Sequence, residues 1–197
     1  MNFKRIFDII LSILGMVLLS PIFLLISVSI KLIMPAGPVF FKQKRVGVNG
    51  KLFSIIKFRT MKVHDSPNNS IAIMDRDRLT PFGIFLRKYK IDEIPELINV
   101  FKGEMSFVGP RPDVEGYDDR LEGEYRKILL LRPGITGPAS LKYANEEEIL
   151  GNIENPIDYN DNIIYPDKAK INLEYYYNNS IFGDIIIIIK TVFRIYK

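Results

Sequence analysis

Twenty-two consecutive residues without a charge, "IILSILGMVLLSPIFLLISVSI" from Ile9 to Ile30, constrain this chain more than any other stretch. As a helix they reach about 33 Å, long enough to cross a bilayer core. The run is too long for a cleaved signal sequence, and no small-x-small cleavage site follows it. Pro21, near the middle, removes one backbone hydrogen bond and clashes with the carbonyl of Val17, so a break is expected there. The Ser20 hydroxyl is placed to satisfy a freed carbonyl, which makes the break tolerable in lipid. Both flanks are basic: Lys4 and Arg5 precede the run, and Lys31, Lys42, Lys44 and Arg45 follow it. Positive flanks favour the cytoplasmic side. A helix that dips into the bilayer and returns satisfies both flanks, whereas a straight span satisfies one. The expectation is a re-entrant helix broken at Ser20-Pro21, over residues 1–36, followed by a cytoplasmic domain over 37–197.

Composition narrows the chemistry of that second part. The 197 residues include no Cys and one His, His64, which excludes thiol catalysis, Cys-based zinc and multi-His metal sites. His64 lies in a polar stretch, 62–78, that reads as a loop. No GxxxxGK[ST] or GxGxxG occurs, so a P-loop or dinucleotide fingerprint has no support. Carboxylates with a hard metal ion remain as tools.

The second part reads as α+β, mainly helical with a small hairpin. "GPVFFKQKRVGVNGKLFSIIKFRTM", 37–61, places Asn49-Gly50, a type I′ turn signal, between β-rich runs. Its basic residues, Lys57 and Arg59 among them, suit phosphates or anionic headgroups. In "TPFGIFLRKYK", 80–90, Thr80 is the expected N-cap and Pro81 the first helical residue. A second helix is expected from Asp92 to Lys102, stopped by Gly103. Asp92 at its N-cap would stay ionised against the helix dipole, with Glu93 beside it. This adjacent pair is either a reacting centre or a capping Asp next to a solvated Glu. Two later turns, "GPRP" with Arg111 and "RPGITG" with Arg132, pair arginine with Pro and Gly, a pattern suited to guanidinium–phosphate contact or to a structural turn. Glu146, Glu147 and Glu148 read as a solvated helix start. The isoleucines 185–189 read as a buried strand or, given the anchor, as a helix on the membrane surface.

In order along the chain, "KRIFDI", the Ser20-Pro21 run, "GPVFFKQKRVG", "FSIIKFRTM", "LTPFGIFLRKYKIDEIPELINVFKGEMSFVGPRP" and "LRPGITG" resemble the bacterial sugar transferases that act on polyprenyl phosphate, the monotopic phosphoglycosyltransferases, in their minimal catalytic form. The resemblance covers nearly all of residues 3–137. It implies a cytoplasmic domain on the bacterial inner membrane, Mg²⁺ as cofactor, a nucleotide-diphosphate sugar (commonly a UDP-sugar) as donor, polyprenyl (undecaprenyl) phosphate as acceptor, and no nucleic acid. It implies that Asp92 and Glu93 are the catalytic pair. Asp92 attacks the β-phosphorus, UMP leaves, and the lipid phosphate takes the phosphosugar from the aspartate. Glu93 either shares the metal with Asp92 or accepts the lipid phosphate's proton. Lys57, Arg59, Arg87, Arg111 and Arg132 are the candidate phosphate and nucleotide contacts. The chain departs from many members at Asn172, where they carry Asp, and after "RPGITG", which puts sugar specificity outside the resemblance. The competing reading is a basic, membrane-anchored binding or scaffold module without catalysis.

Overall fold

A computed structural model describes residues 3–63 and 78–195 of the chain. The expected loop at 62–78, with His64, lies almost wholly outside the described residues. Two apolar helices come first, α1 (Phe3–Leu18) and α2 (Ser20–Ile33), bent by 60° at Leu19. Among the described residues, no single helix is long and apolar enough to cross a membrane; the bent pair together meets that length and composition. The break falls at the expected Ser-Pro step. Ser20 Oγ donates to the Val17 carbonyl at 2.8 Å, the acceptor that Pro21 strips of its backbone partner.

Both helices are stitched into the rest of the protein. Ile26 and Ile30 of α2, with Met34 just beyond it, share a core with Phe58 of the hairpin and Leu86. On α1, Gly15 sits against Leu97, so close that a Cβ there would lie 3.2 Å from its Cδ1. The polar residues of "KRIFDI" complete the join. Lys4 donates to the Val108 carbonyl and the Tyr175 hydroxyl, both at 2.9 Å, and pairs with Asp184. Arg5 caps the Val100 and Phe101 carbonyls. Buried Asp8 accepts from Ser106 Oγ at 3.0 Å and Phe107 N–H at 3.1 Å.

The hairpin pairs β1 (Phe40–Val46) with β2 (Leu52–Phe58) antiparallel, in register from Phe40↔Phe58 to Val46↔Leu52. Asn49 and Gly50 both take positive φ, 57° and 75°, and the Lys51 N–H reaches the Val48 carbonyl, as a type I′ turn requires. Helix α3 (Pro81–Lys88) begins as expected, with Thr80 Oγ1 accepting from Gly83 N–H at 2.9 Å. A 3-10 turn (Ile91–Glu93) and α4 (Glu96–Lys102) follow, and Gly103 ends α4 in the left-handed region. β3 (Ser106–Val108) and β4 (Gly134–Thr136) form a short parallel pair. The C-terminal part is helical: α5 (Pro138–Lys142), α6 (Glu146–Gly151), α7 (Pro156–Tyr159), a π-helical stretch (Asn160–Ile164), α8 (Tyr165–Asn178) and α9 (Ile181–Val192). The π stretch immediately precedes Pro166, whose ring cannot fit a regular turn there.

The isoleucine run is therefore helix, and the strand alternative is excluded. Its Asp184 is buried against Lys4 and Tyr175, whereas Phe182, Ile189 and Val192 stay exposed. The acidic run is solvated at Glu147 and Glu148, but Glu146 turns inward to Lys168.

Candidate active site

The Asp92-Glu93 pair does not cap α4. Lys90 adopts a left-handed conformation (φ 58°) that ends α3 and starts the 3-10 turn, and Pro95 occupies the cap position. The reason lies in the isoleucines on either side. Residues three apart in a 3-10 turn share a face, so Ile91 and Ile94 both pack on the α2–β2–α3 core. Asp92 and Glu93 are left to face the other way, into a cleft of about 1230 Å³.

The two carboxylates are both buried, 7% and 8% exposed, yet differently served. Glu93 Oε1 accepts from Lys57 Nζ of β2 at 2.8 Å and from Arg111. Burial alone would raise its pKa; Arg111 first, then Lys57 and Lys90, hold it well below the usual carboxylate range. Arg111 is raised in turn by Glu93. Asp92 has no such clamp. Its Oδ1 is shielded from solvent and has no hydrogen-bond partner, and burial followed by the Glu93 charge pushes its pKa up. The expected dipole-stabilised aspartate is thus replaced by a destabilised one, because it precedes the helix instead of capping it. An unpaired, energetically raised carboxylate beside a fixed one is the arrangement of a nucleophile next to an electrostatic anchor.

Three groups that local spacing does not reveal build this arrangement. Asn99, fully buried on α4, accepts from Ile56 N–H at 3.0 Å and donates to the Ser54 carbonyl at 2.8 Å, fixing α4 against β2 and so Glu93 against Lys57. Asp8 ties α1 to β3, as described above. Glu96, 1% exposed, lies 3.4 Å from Lys57 Nζ without hydrogen-bond geometry at either oxygen. Burial lifts its pKa from 4.5 to about 7. The folded state therefore holds the Glu96 proton more tightly than the unfolded chain, and that stabilisation fades as pH rises from 4.5 to about 7. Glu96→Gln is expected to remove this slope, so that the variant's melting temperature gains on wild type across that window. Parallel melting curves for the two proteins would count against it.

Of the expected phosphate contacts, Lys57, Arg87 and Arg111 line the cleft; Lys57 and Arg111 both meet buried Glu93, and Arg87 pairs at 2.9 Å with Glu147, which is 63% exposed. Arg59 also touches the cleft, but its guanidinium is committed to the Met34 and Ala36 carbonyls at the exit of α2. Arg132 does not line the cleft; its Nε donates to the Gly103 carbonyl at 3.0 Å. Arg132 is thus placed away from the other candidates, and Arg59 clamps the end of α2. Their Pro-Gly or strand-end settings carry no mark distinguishing ligand contact from carbonyl capping.

Among the described residues, no group of three or more His, Cys, Asp or Glu side chains is placed to hold a metal ion. Asp92 and Glu93 nonetheless suit a hard cation, with unpaired Oδ1 as a donor and the remaining shell left to substrate phosphate and water, the usual manner of Mg²⁺.

A buried carboxylate pair thus faces a cleft lined by several basic side chains, and the isoleucines flanking the pair pack against α2 of the bent apolar helix pair. Residues 1–197 match the bacterial sugar transferase family, and the chain belongs to it. It is similar to a UDP-glucose:undecaprenyl-phosphate glucose-1-phosphate transferase of Xanthomonas campestris (36% identical over 98% of this chain and 38% of that protein). It is also similar to a UDP-N-acetylgalactosamine-undecaprenyl-phosphate N-acetylgalactosaminephosphotransferase of Aeromonas hydrophila (36%, over 96% of this chain and 42% of that protein). The exopolysaccharide production protein ExoY of Sinorhizobium fredii is 31% identical over 96% of this chain and 83% of its own length. The chain thus spans well under half the length of the first two relatives.

Proposed function

We propose that this protein transfers a sugar-1-phosphate from a UDP-sugar to polyprenyl phosphate, releasing UMP, through a covalent aspartyl phosphosugar. The unpaired Oδ1 of buried Asp92, next to a Glu93 locked by Arg111 and Lys57, carries the reading. A binding or scaffold module has no use for such a carboxylate.

Asp92 attacks the β-phosphorus of the donor. An O–P bond forms, the bond to the bridging oxygen breaks, and UMP departs with that electron pair. A phosphate oxygen of the lipid then attacks the same phosphorus, and Asp92 leaves as carboxylate. Like charges oppose the first step, and Lys57, Arg87 and Arg111 offset that repulsion. Mg²⁺ held by Asp92 and Glu93 would neutralise diphosphate charge. The covalent stage lets one site serve a water-soluble donor and a lipid acceptor in turn. Glu93, pinned by two cations, orients charge and metal rather than taking up a proton.

The bent pair α1–α2 enters and leaves the bilayer on the cytoplasmic side, a reading supported by its 60° bend, its exposed apolar faces and its basic flanks. Helix α9 also exposes apolar residues, Phe182, Ile189 and Val192, which suit contact with a bilayer surface. One assay tests activity and sidedness together. Inside-out vesicles containing undecaprenyl phosphate are expected to release UMP from added UDP-sugars in the presence of Mg²⁺, whereas right-side-out vesicles do so only after permeabilisation. Release from intact right-side-out vesicles would overturn the topology, and no release from either would overturn the activity.

A further inference from the structure

Beyond the dyad, the same cleft is walled by Asp113, Asp118, Tyr117, Tyr165, Lys168 and Asn172. We propose that this wall receives the sugar of the donor and selects an uncharged, hydroxyl-bearing ring over one carrying a carboxylate. The inference rests on the reading above and assigns it a specificity site.

Arg111 and Asp113, two residues apart in the chain, both line the cleft, and Arg111 pairs with Glu93 of the dyad. Arg111, which grips Glu93, therefore joins the reacting centre to the Asp113 wall. A donor attacked at its β-phosphorus has two unlike halves on either side of that atom. The UMP half is anionic and matches the stretch bearing Arg87, Lys88 and Lys90. The sugar half is neutral and rich in O–H donors. Carboxylates repel a nucleotide phosphate but accept hydrogen bonds from hydroxyls, so the Asp113 wall suits the sugar.

The groups on this wall have capacity to spare. No hydrogen bond or ion pair engages the Asp113 carboxylate among the described residues. Among the described residues the Asp118 carboxylate accepts two long bonds, from Tyr165 OH at 3.3 Å and Asp113 N–H at 3.4 Å. Ser140 Oγ and Asn172 Oδ1, also on the cleft wall, are buried without partners, a condition that in a native protein calls for an explanation such as a ligand. Lys168 is neutralised by both oxygens of Glu146, at 2.7 and 2.6 Å, so it offers no free cation to an acidic sugar. Tyr117 and Tyr165 meet edge-to-face with centroids 5.2 Å apart, giving the wall an aromatic surface for the C–H face of a pyranose.

The test is Asp113→Asn, with Asn172→Leu as a second variant, assayed for UMP release from UDP-glucose, UDP-N-acetylgalactosamine and UDP-glucuronic acid. The KM of a neutral donor is expected to rise about tenfold in Asp113→Asn, the effect of losing a hydrogen bond to a charged group. Inhibition by UMP should be unchanged, and the preference against UDP-glucuronic acid should relax. Asn172→Leu should raise the same KM without relaxing that preference. A UMP inhibition constant rising in step with KM would place the nucleotide here and overturn the proposal. So would folded variants of both kinds with wild-type KM. A wild-type protein that releases UMP from no UDP-sugar overturns the activity itself, a different result from active wild type with silent variants.

Discussion

Asp92→Asn is expected to lower UMP release from a UDP-sugar by on the order of 10³-fold or more, the scale on which loss of a covalent nucleophile is felt. It should also abolish radiolabel retained on the protein after incubation with sugar-labelled donor in the absence of lipid acceptor. The substitution is nearly isosteric, and the fold has little to lose from it. Burial and Glu93 raise the Asp92 pKa, so ionised Asp92 destabilises the native state as pH rises above the ordinary value of 3.8. The amide variant should therefore melt no lower than wild type near neutral pH. Lost turnover with retained stability separates a chemical role from a structural one, because function commonly occupies positions the fold would prefer otherwise. Labelled Asp92→Asn protein, or UMP release near the wild-type rate, would show that another atom attacks the donor.

What the sequence discloses about this site follows the range of the interactions involved. The Ser20-Pro21 break, the Thr80 cap, the Asn49-Gly50 turn and the Gly103 stop each depend on residues within four positions of one another, and each stands where local chemistry puts it. Asp92 and Glu93 were legible as a pair but not in their setting. Whether Asp92 caps a helix or precedes one depends on Ile91 and Ile94 reaching a core contributed by α2 and β2, and periodicity over ten residues carries no trace of that. Long-range polar ties were less legible still. Lys4 and Asp184 lie 180 positions apart, and nothing near either predicts the other. Lys4 and Arg5, read as a basic membrane flank, are instead largely engaged with carbonyls and Asp184, which weakens their share of the charge argument for topology. The helix break itself does not depend on them.

The glycines of "GPRP" and "RPGITG" carry the second large effect. Their sequence context suggests backbone approaching a ligand; in the structure they approach one another. A Cβ on Gly109 would lie 2.2 Å from the Arg132 carbonyl oxygen, and one on Gly134 or Gly137 would lie 2.2 Å from the backbone of Gly109. This contact lets Gly109 N–H reach the Thr136 carbonyl at 2.9 Å and Gly134 N–H reach the Pro110 carbonyl at 2.8 Å. Arg111 begins two residues beyond, so the β3–β4 pair sets where its guanidinium meets Glu93. Gly109→Ala must push these strands apart, since backbone cannot yield as a flexible side chain does. A cost of more than about 3 kcal/mol is expected, at the upper end for overpacking. Glu93 would then keep only Lys57 for company in a buried site, where losing a partner is strongly unfavourable. Detergent-solubilised Gly109→Ala should melt well below wild type and lose at least about 100-fold in UMP release. A variant with unshifted melting and wild-type turnover would mean that the two strands do not touch, and that Arg111 is placed by something other than the glycines beside it.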